Sequence, residues 1–440
     1  MKIENKIKIL ISGALILLIG SCTKDFVKMN TNPNSPITVP GTNVLGQALL
    51  NACNNLYGER LDVYYAGTYA GQTAAIGSGD YEYRVNINTD LWKGMYITMT
   101  YAVDVMKIAE AEKNDNLYAA ALTLKAYVAQ KTTDMWGKIP YSEAFKLGEG
   151  ILYPKYDTQQ EVYTQIVAEL KKAADMFSDA GGKLGAGDFL FKGNVDKWKK
   201  LCNSTRLRVA IRMSSADEGT AKGVLADVLN NPAKYPVIMS NSDNAYFWWP
   251  GVSPDQEPWY KRMGADNGIK TDQYRTSYFL ISNLINLNDP RLPVYADKNK
   301  AGEYNGYKFG PNQTSDIMNN GNNVSHIGDR FGNNKAGFSP FLNAAEVYFI
   351  IAEAAQRNLI TGADAKTAYE MGITRSLEEN GITGMATTNY LTQGEVPWNG
   401  GMTTNLYKIY LQKWISLFKQ SVEAWSEARR TDVPMMDVIT

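Results

Sequence analysis

The residues best suited to chemistry lie in one stretch: Tyr246-Phe247-Trp248-Trp249-Pro250-Gly251, then Pro258-Trp259-Tyr260-Lys261-Arg262, with Asp255, Gln256 and Glu257 between them. Flat rings offer a negative π face to the C–H groups of a sugar, and carboxylate or amide side chains bond its hydroxyls. Four aromatics in a row cannot all face one core, because alternate side chains of an extended chain point oppositely. At least one pair is therefore available to a surface, a groove or a partner. Trp248, Trp249, Trp259 and Tyr260 are the candidate rings, with Asp255 and Gln256 as hydroxyl partners. For any single ring, packing against the interior is the commoner fate; as a group they form the leading binding-site hypothesis. A second group, Tyr64, Tyr65, Tyr69, Tyr81 and Tyr83 around Gly71 to Gly79, ranks below it.

Other chemistries find little support. His326 is the only histidine, so multi-histidine zinc sites are excluded and a Ser-His-Asp triad would depend on it alone. It stands in Ser325-His326-Ile327-Gly328 without a flanking motif and reads as a hydrogen-bonded loop residue. Asp297-Lys298-Asn299-Lys300-Ala301-Gly302 begins like a calcium loop, but Lys308 occupies the twelfth position, where a bidentate Glu belongs. No glycine-rich phosphate cradle occurs. No cofactor and no metal are expected. Glu346 and Glu353, seven apart, and Glu370 beyond them supply carboxylates, yet glycoside hydrolysis needs a pair about 5–10 Å apart across the bond, which spacing does not show. Lys plus Arg equals Asp plus Glu at 45 each, leaving no basic field for a nucleic acid.

The N-terminus has a different character. Lys2, Lys6 and Lys8 precede an apolar run from Ile9 to Ile19, then Gly20, Ser21 and Cys22, the order of a bacterial export signal. The run is too short to span a bilayer, which needs about 20 apolar residues. Ile19-Gly20-Ser21-Cys22 resembles the lipobox of bacterial lipoproteins, in which the thiol receives a diacylglyceryl group. Residues 1–21 are then a removed signal and Cys22 a lipidated first residue tethered to a membrane, since each buried acyl CH₂ contributes about 0.8 kcal/mol. The polar, proline-broken stretch to residue 40 is a spacer. Cys53 and Cys202 form either one disulfide or, more simply, two buried free thiols.

These groups must be positioned by helices. Leu117, Ala120, Ala121, Leu124, Tyr127 and Val128 share one helical face that ends near Asp134, before Gly137 and Pro140. Val347 to Ala355 repeats the pattern, as does Leu411, Trp414, Ile415, Phe418, Val422 and Trp425. Further helices are expected around 45–56, 92–112, 159–177, 195–213, 221–229 and 363–379. Arg429 and Arg430 close the last helix, where cations favour the C-terminal dipole. From about Tyr235 to Pro340 the chain turns to Pro, Gly, Asn and aromatics, with Tyr274 to Leu287 the main periodic run. The expectation is an all-α scaffold, mainly residues 41–234 and 341–440, carrying a loop-rich lobe at about 235–340.

Several segments resemble the SusD/RagB (SusD-like) outer-membrane lipoproteins: Cys22-Thr23-Lys24-Asp25-Phe26 with Asn30-Thr31-Asn32-Pro33-Asn34; Thr133-Asp134 through Gly137 to Pro140-Tyr141-Ser142-Glu143-Ala144; and Asp289-Pro290-Arg291-Leu292-Pro293. Ala344-Ala345-Glu346-Val347 with Ala352-Glu353-Ala354-Ala355, then Tyr369-Glu370-Met371-Gly372-Ile373, and Glu423-Ala424-Trp425 with Arg429-Arg430-Thr431, are similar to its later segments. Members of that family usually run some dozens of residues past the Arg-Arg segment, whereas this sequence stops at Thr440, and Asp25 alone weakly matches their acidic surface-export signal. The resemblance implies a tetratricopeptide-like helical-pair scaffold with an irregular ligand-binding lobe. It also implies a hinged lid over a SusC-type TonB-dependent transporter that captures oligosaccharides or peptides without cleaving them. The competing readings are a surface glycoside hydrolase and a structural lid with no ligand site of its own.

Overall fold

The computed structural model describes residues 39–75, 84–265, 270, 273–308 and 321–436. Cys22 with its flanking signal, most of the spacer, and Tyr81 and Tyr83 lie outside them. The described residues from Gly41 onward make one compact unit. Twelve helices of eight residues or more are described: α1 (Gly41–Leu56), α2 (Val85–Glu112), α3 (Asp115–Trp136), α4 (Gln159–Met176), α5 (Val195–Met213), α6 (Glu218–Leu229), α7 (Tyr278–Asn286), α8 (Ala344–Gln356), α9 (Ala365–Glu379), α10 (Met385–Thr392), α11 (Met402–Ser416) and α12 (Ser421–Thr431). None of the described helices is long and apolar enough to cross a membrane.

Neighbours in sequence pack as neighbours in space through α1 to α6, and again through α8 and α9. The turns explain why. Lys113 leaves α2 in the left-handed region at φ 55°, and Asn114 caps α3 by accepting the Leu117 N–H at 3.0 Å. Two residues thus reverse the chain and bring α3 back along α2. At α4, Thr158 and Glu161 form a reciprocal capping box. Helix α3 is buried almost all round. Its alanines at 119, 120, 121, 126 and 129 let α2, α4 and α5 approach closely, and it also meets α12.

Four short strands hold the lobe. β1 (Thr73–Ala75) pairs antiparallel with β3 (Tyr274–Thr276), and β2 (Ala245–Trp248) with β4 (Phe338–Leu342), the latter with an irregularity between Ala245 and Tyr246. β4 runs into α8 through Asn343, whose side chain caps that helix, so the lobe is fastened at a helix start. Arg291 is buried and grips Asp289 at 2.9 and 2.6 Å, Gln412 at 2.6 Å and Ser376 at 2.8 Å. It ties the Asp-Pro-Arg turn to α9 and α11. Cys53 and Cys202 are free and buried, and burial pushes both thiols up.

Two expectations change. The apolar period from Leu411 to Trp425 is not one helix but two, α11 and α12, separated by Lys419 at φ 71°. Lys419 is fully buried with its ammonium 3.0 Å from Glu257, an acid of the lobe, and the chain breaks to aim it there. Tyr274 to Leu287 likewise divides, its first three residues joining β3 before α7 begins.

A chain of buried ion pairs crosses the scaffold. Arg208 of α5 holds Glu346 of α8 through two bonds of 2.7 and 2.6 Å. Arg212 contacts Asp134 at 2.8 Å, Glu427 at 3.0 Å and also Glu423, which in turn takes Lys131. Arg430 grips Glu353 at 2.6 and 2.7 Å and Glu427 at 2.7 Å. This corrects the helix-dipole reading of Arg430: its charge is spent on two carboxylates. Burial alone would raise Glu423, but Arg212, Lys131 and Arg208 hold it well below the usual carboxylate range, and Arg430, Lys413 and Arg212 do the same for Glu427.

Candidate ligand-binding site

The pleat of β2 sorts the aromatic run. Tyr246 stacks on Phe338 with ring centres 4.6 Å apart, and Trp248 lies 5.2 Å from the same ring. Phe247 and Trp249 pack together at 5.1 Å, and the Trp249 indole N–H donates to Ser339 at 3.0 Å. At the end of the strand, Trp248 stays 57% exposed while its neighbours are covered. It forms one wall of a cleft of about 500 Å³ shared with Trp249, Asp255, Phe189 and Lys192. Asp255 is exposed and Gln256 half-buried, both within reach of solvent.

Trp259 and Tyr260 are placed elsewhere. Trp259 is fully buried, edge-on to Phe418 at 6.0 Å and 4.8 Å from the Lys419 ammonium. Tyr260 is buried in the short helix Pro258–Met263, whose first turn is capped by Glu257 at 2.9 Å. Burial pushes the Glu257 carboxyl up, partly offset by Lys419. The structure thus gathers Trp248, Trp249 and Asp255 at the cleft and turns Trp259 and Tyr260 into the interior.

Phe189 and Lys192 escaped the sequence argument. Phe189 is 51% exposed, and its loop is held by Asp188, which accepts the backbone N–H groups of Leu190, Phe191 and Gly193 and the indole N–H of Trp198. The loop is therefore a fixed wall. A lone Asp followed by Phe in a glycine-rich stretch gave no signal of this.

Two of the five tyrosines also lie on a concavity. Tyr65 and Tyr69 line a pocket of about 250 Å³ with Trp136 and Trp425, with Arg84 and Asn88 at its polar part. Asn88 accepts the Trp136 indole N–H at 2.9 Å, and Tyr69 sits 5.4 Å from Trp425. Trp136 continues outward to Trp92 at 5.4 Å, which stacks with Tyr156, a ring 63% exposed. In the sequence Trp136 and Trp425 stand only as motif and core residues, because their meeting depends on the packing of α3 against α12, far apart in the chain.

A family model described as starch-binding and associating with the outer membrane (SusD-like) matches residues 33–440. The chain belongs to the SusD-like family. A SusD homologue from Bacteroides uniformis is 24% identical, with 89% of this chain and 87% of that one covered and a TM-score of 0.77. A chitin-binding SusD homologue from Flavobacterium johnsoniae is 26% identical over 89% and 87% of the two chains, TM-score 0.75. A third, from Bacteroides thetaiotaomicron, is 25% identical over 91% and 87%, TM-score 0.74. No curated protein matches.

In this SusD-like chain the carboxylates weighed for hydrolysis, Glu346 and Glu353, are fully buried and each is bound by arginine. Among the described residues no group of three or more His, Cys, Asp or Glu could hold a metal ion. His326 lies in a loop whose backbone carbonyl accepts the Asp297 N–H at 2.9 Å.

Proposed function

We propose that the protein is anchored by an acylated Cys22, faces the cell exterior, captures a glycan and hands it to a SusC-type TonB-dependent transporter without cleaving it. The observation that carries this reading is the exposed Trp248 indole on the wall of a cleft of about 500 Å³, in a chain whose family model is described as starch-binding and outer-membrane-associating. A pyranose presents an apolar C–H face to such a ring, and Asp255 and Lys192 supply an acceptor and a donor for its hydroxyls. The chitin-binding relative from Flavobacterium johnsoniae supports a glycan over a peptide. Titrating the body from Thr23 onward against starch and chitin oligosaccharides and a set of peptides tests it. Binding of a glycan that falls at least tenfold in Trp248→Ala is expected; no glycan binding by a folded protein would overturn the reading.

A second reading keeps the function and moves the site. The pocket of Tyr65, Tyr69, Trp136 and Trp425 brings four rings together beside Arg84 and Asn88. If Trp136→Ala rather than Trp248→Ala removes affinity, the glycan lies there.

A further inference from the structure

The Trp425 indole also carries Arg429, whose guanidinium carbon stands 4.1 Å from the ring centre. Arg429 looks into a different cavity, of about 480 Å³, where the ends of α3, α4, α5 and α12 meet. Three guanidinium groups line it, those of Arg212, Arg429 and Arg430. Two are neutralised by the buried carboxylates already described. The third is not: Arg429 donates to the Asp134 backbone carbonyl at 2.7 Å and to the Ser426 hydroxyl at 3.3 Å, both uncharged. Two carboxylates also line the cavity: Asp134, paired with Arg212 at 2.8 Å, and the half-buried Asp217, which accepts the Thr220 N–H at 3.0 Å. The exposed Gln160 and Thr164 of α4 line the same cavity; the Thr164 hydroxyl donates to the Gln160 backbone carbonyl at 2.8 Å and keeps its oxygen free to accept.

An arginine fork without a carboxylate partner, at the mouth of a cavity, favours an anion. The volume is in the range of sites for small organic ligands and exceeds what a bare ion fills. The Gln160 amide and the accepting Thr164 oxygen on the same cavity suit ring hydroxyls rather than apolar groups. We propose that this cavity is an anionic-sugar subsite that takes a uronate residue, with Arg429 binding the carboxylate and Gln160 and Thr164 facing the hydroxyls. The proposal rests on the glycan reading above and adds the class of sugar.

The test uses the body from Thr23 onward and three probes: trigalacturonate, the neutral maltotriose, and acetate. Trigalacturonate should bind more tightly than the other two, weaken with added salt, and lose at least tenfold in affinity in Arg429→Gln, with part restored in Arg429→Lys. Gln160→Glu gives the same readout with little risk to folding, since it adds a carboxylate in the exposed first turn of α4, where a negative charge is favoured. The same tenfold loss is expected. Trigalacturonate bound no better than maltotriose, or untouched by both substitutions, overturns the proposal, as does acetate competing at equal affinity. Neutral glycan bound through Trp248 with no uronate at Arg429 would defeat this inference alone. Uronate bound through Arg429 with Trp248→Ala silent towards every glycan would defeat the Trp248 cleft alone.

Discussion

At the residue scale, Asp62 and Glu257 face one cation. Both carboxyls are buried, and Lys419 stands between the short helical segment that carries Asp62 and the lobe that carries Glu257. Burial pushes Asp62 up to about 7, against the Ser421 N–H and Lys419. An acid raised on folding lets the folded state hold a proton that the unfolded state releases near pH 4. Its contribution to stability is therefore full below about pH 4, falls as pH rises towards about 7, and is level above. Asp62→Asn keeps an oxygen for the Ser421 N–H and leaves one acid for one cation. Urea unfolding should show a gain in stability at pH 8 and little change at pH 4; equal loss at both would refute the assignment. From the alternation of an extended chain it followed only that some of the aromatic run faces outward, with Trp248 and Trp249 named together. Trp248 and Trp259 look alike in sequence, because their exposure is decided by Phe338, Phe418 and Lys419, which come from later in the chain.

At the element scale, the helices were legible wherever one face kept its period and a capping residue stood at its start, as for α3, α4 and α5. The strands were not, since three to five residues carry too little pattern and their partners lie about 90 to 200 residues away. The break between α11 and α12 had no local signal either: the apolar period runs through it, and a buried ion pair interrupts it. Two measurements separate local from tertiary contributions. Thr158→Ala removes half of a capping box on an exposed turn and should cost about 1 kcal/mol in chemical unfolding. Glu427→Gln leaves the buried Lys413 without a carboxylate and takes one from Arg212 and Arg430, and should cost about 3–5 kcal/mol by the same assay. Equal effects would mean that the ion pairs do not bind the helices together.

At the scale of the whole molecule, Glu423 and Glu427 act in the opposite sense to Asp62. Their depressed carboxyls stabilise the fold above about pH 4.5 and lose that contribution as pH falls further. Thermal melting should therefore show a fall below about pH 4.5 that is reduced in Glu427→Gln. The proposed membrane attachment belongs to the N-terminus. Cys22→Ser should release the protein from the membrane fraction, and retention at wild-type level would remove the anchor from the proposal. The buried charges also order events in time. Lys131 and Arg212 are made 292 and 211 residues before Glu423, the carboxylate they share with Arg208. Until Glu423 arrives the buried Lys131 ammonium lacks its carboxylate and Arg212 has only Asp134, so the seam between these helices closes late, by a contact between distant parts of the chain.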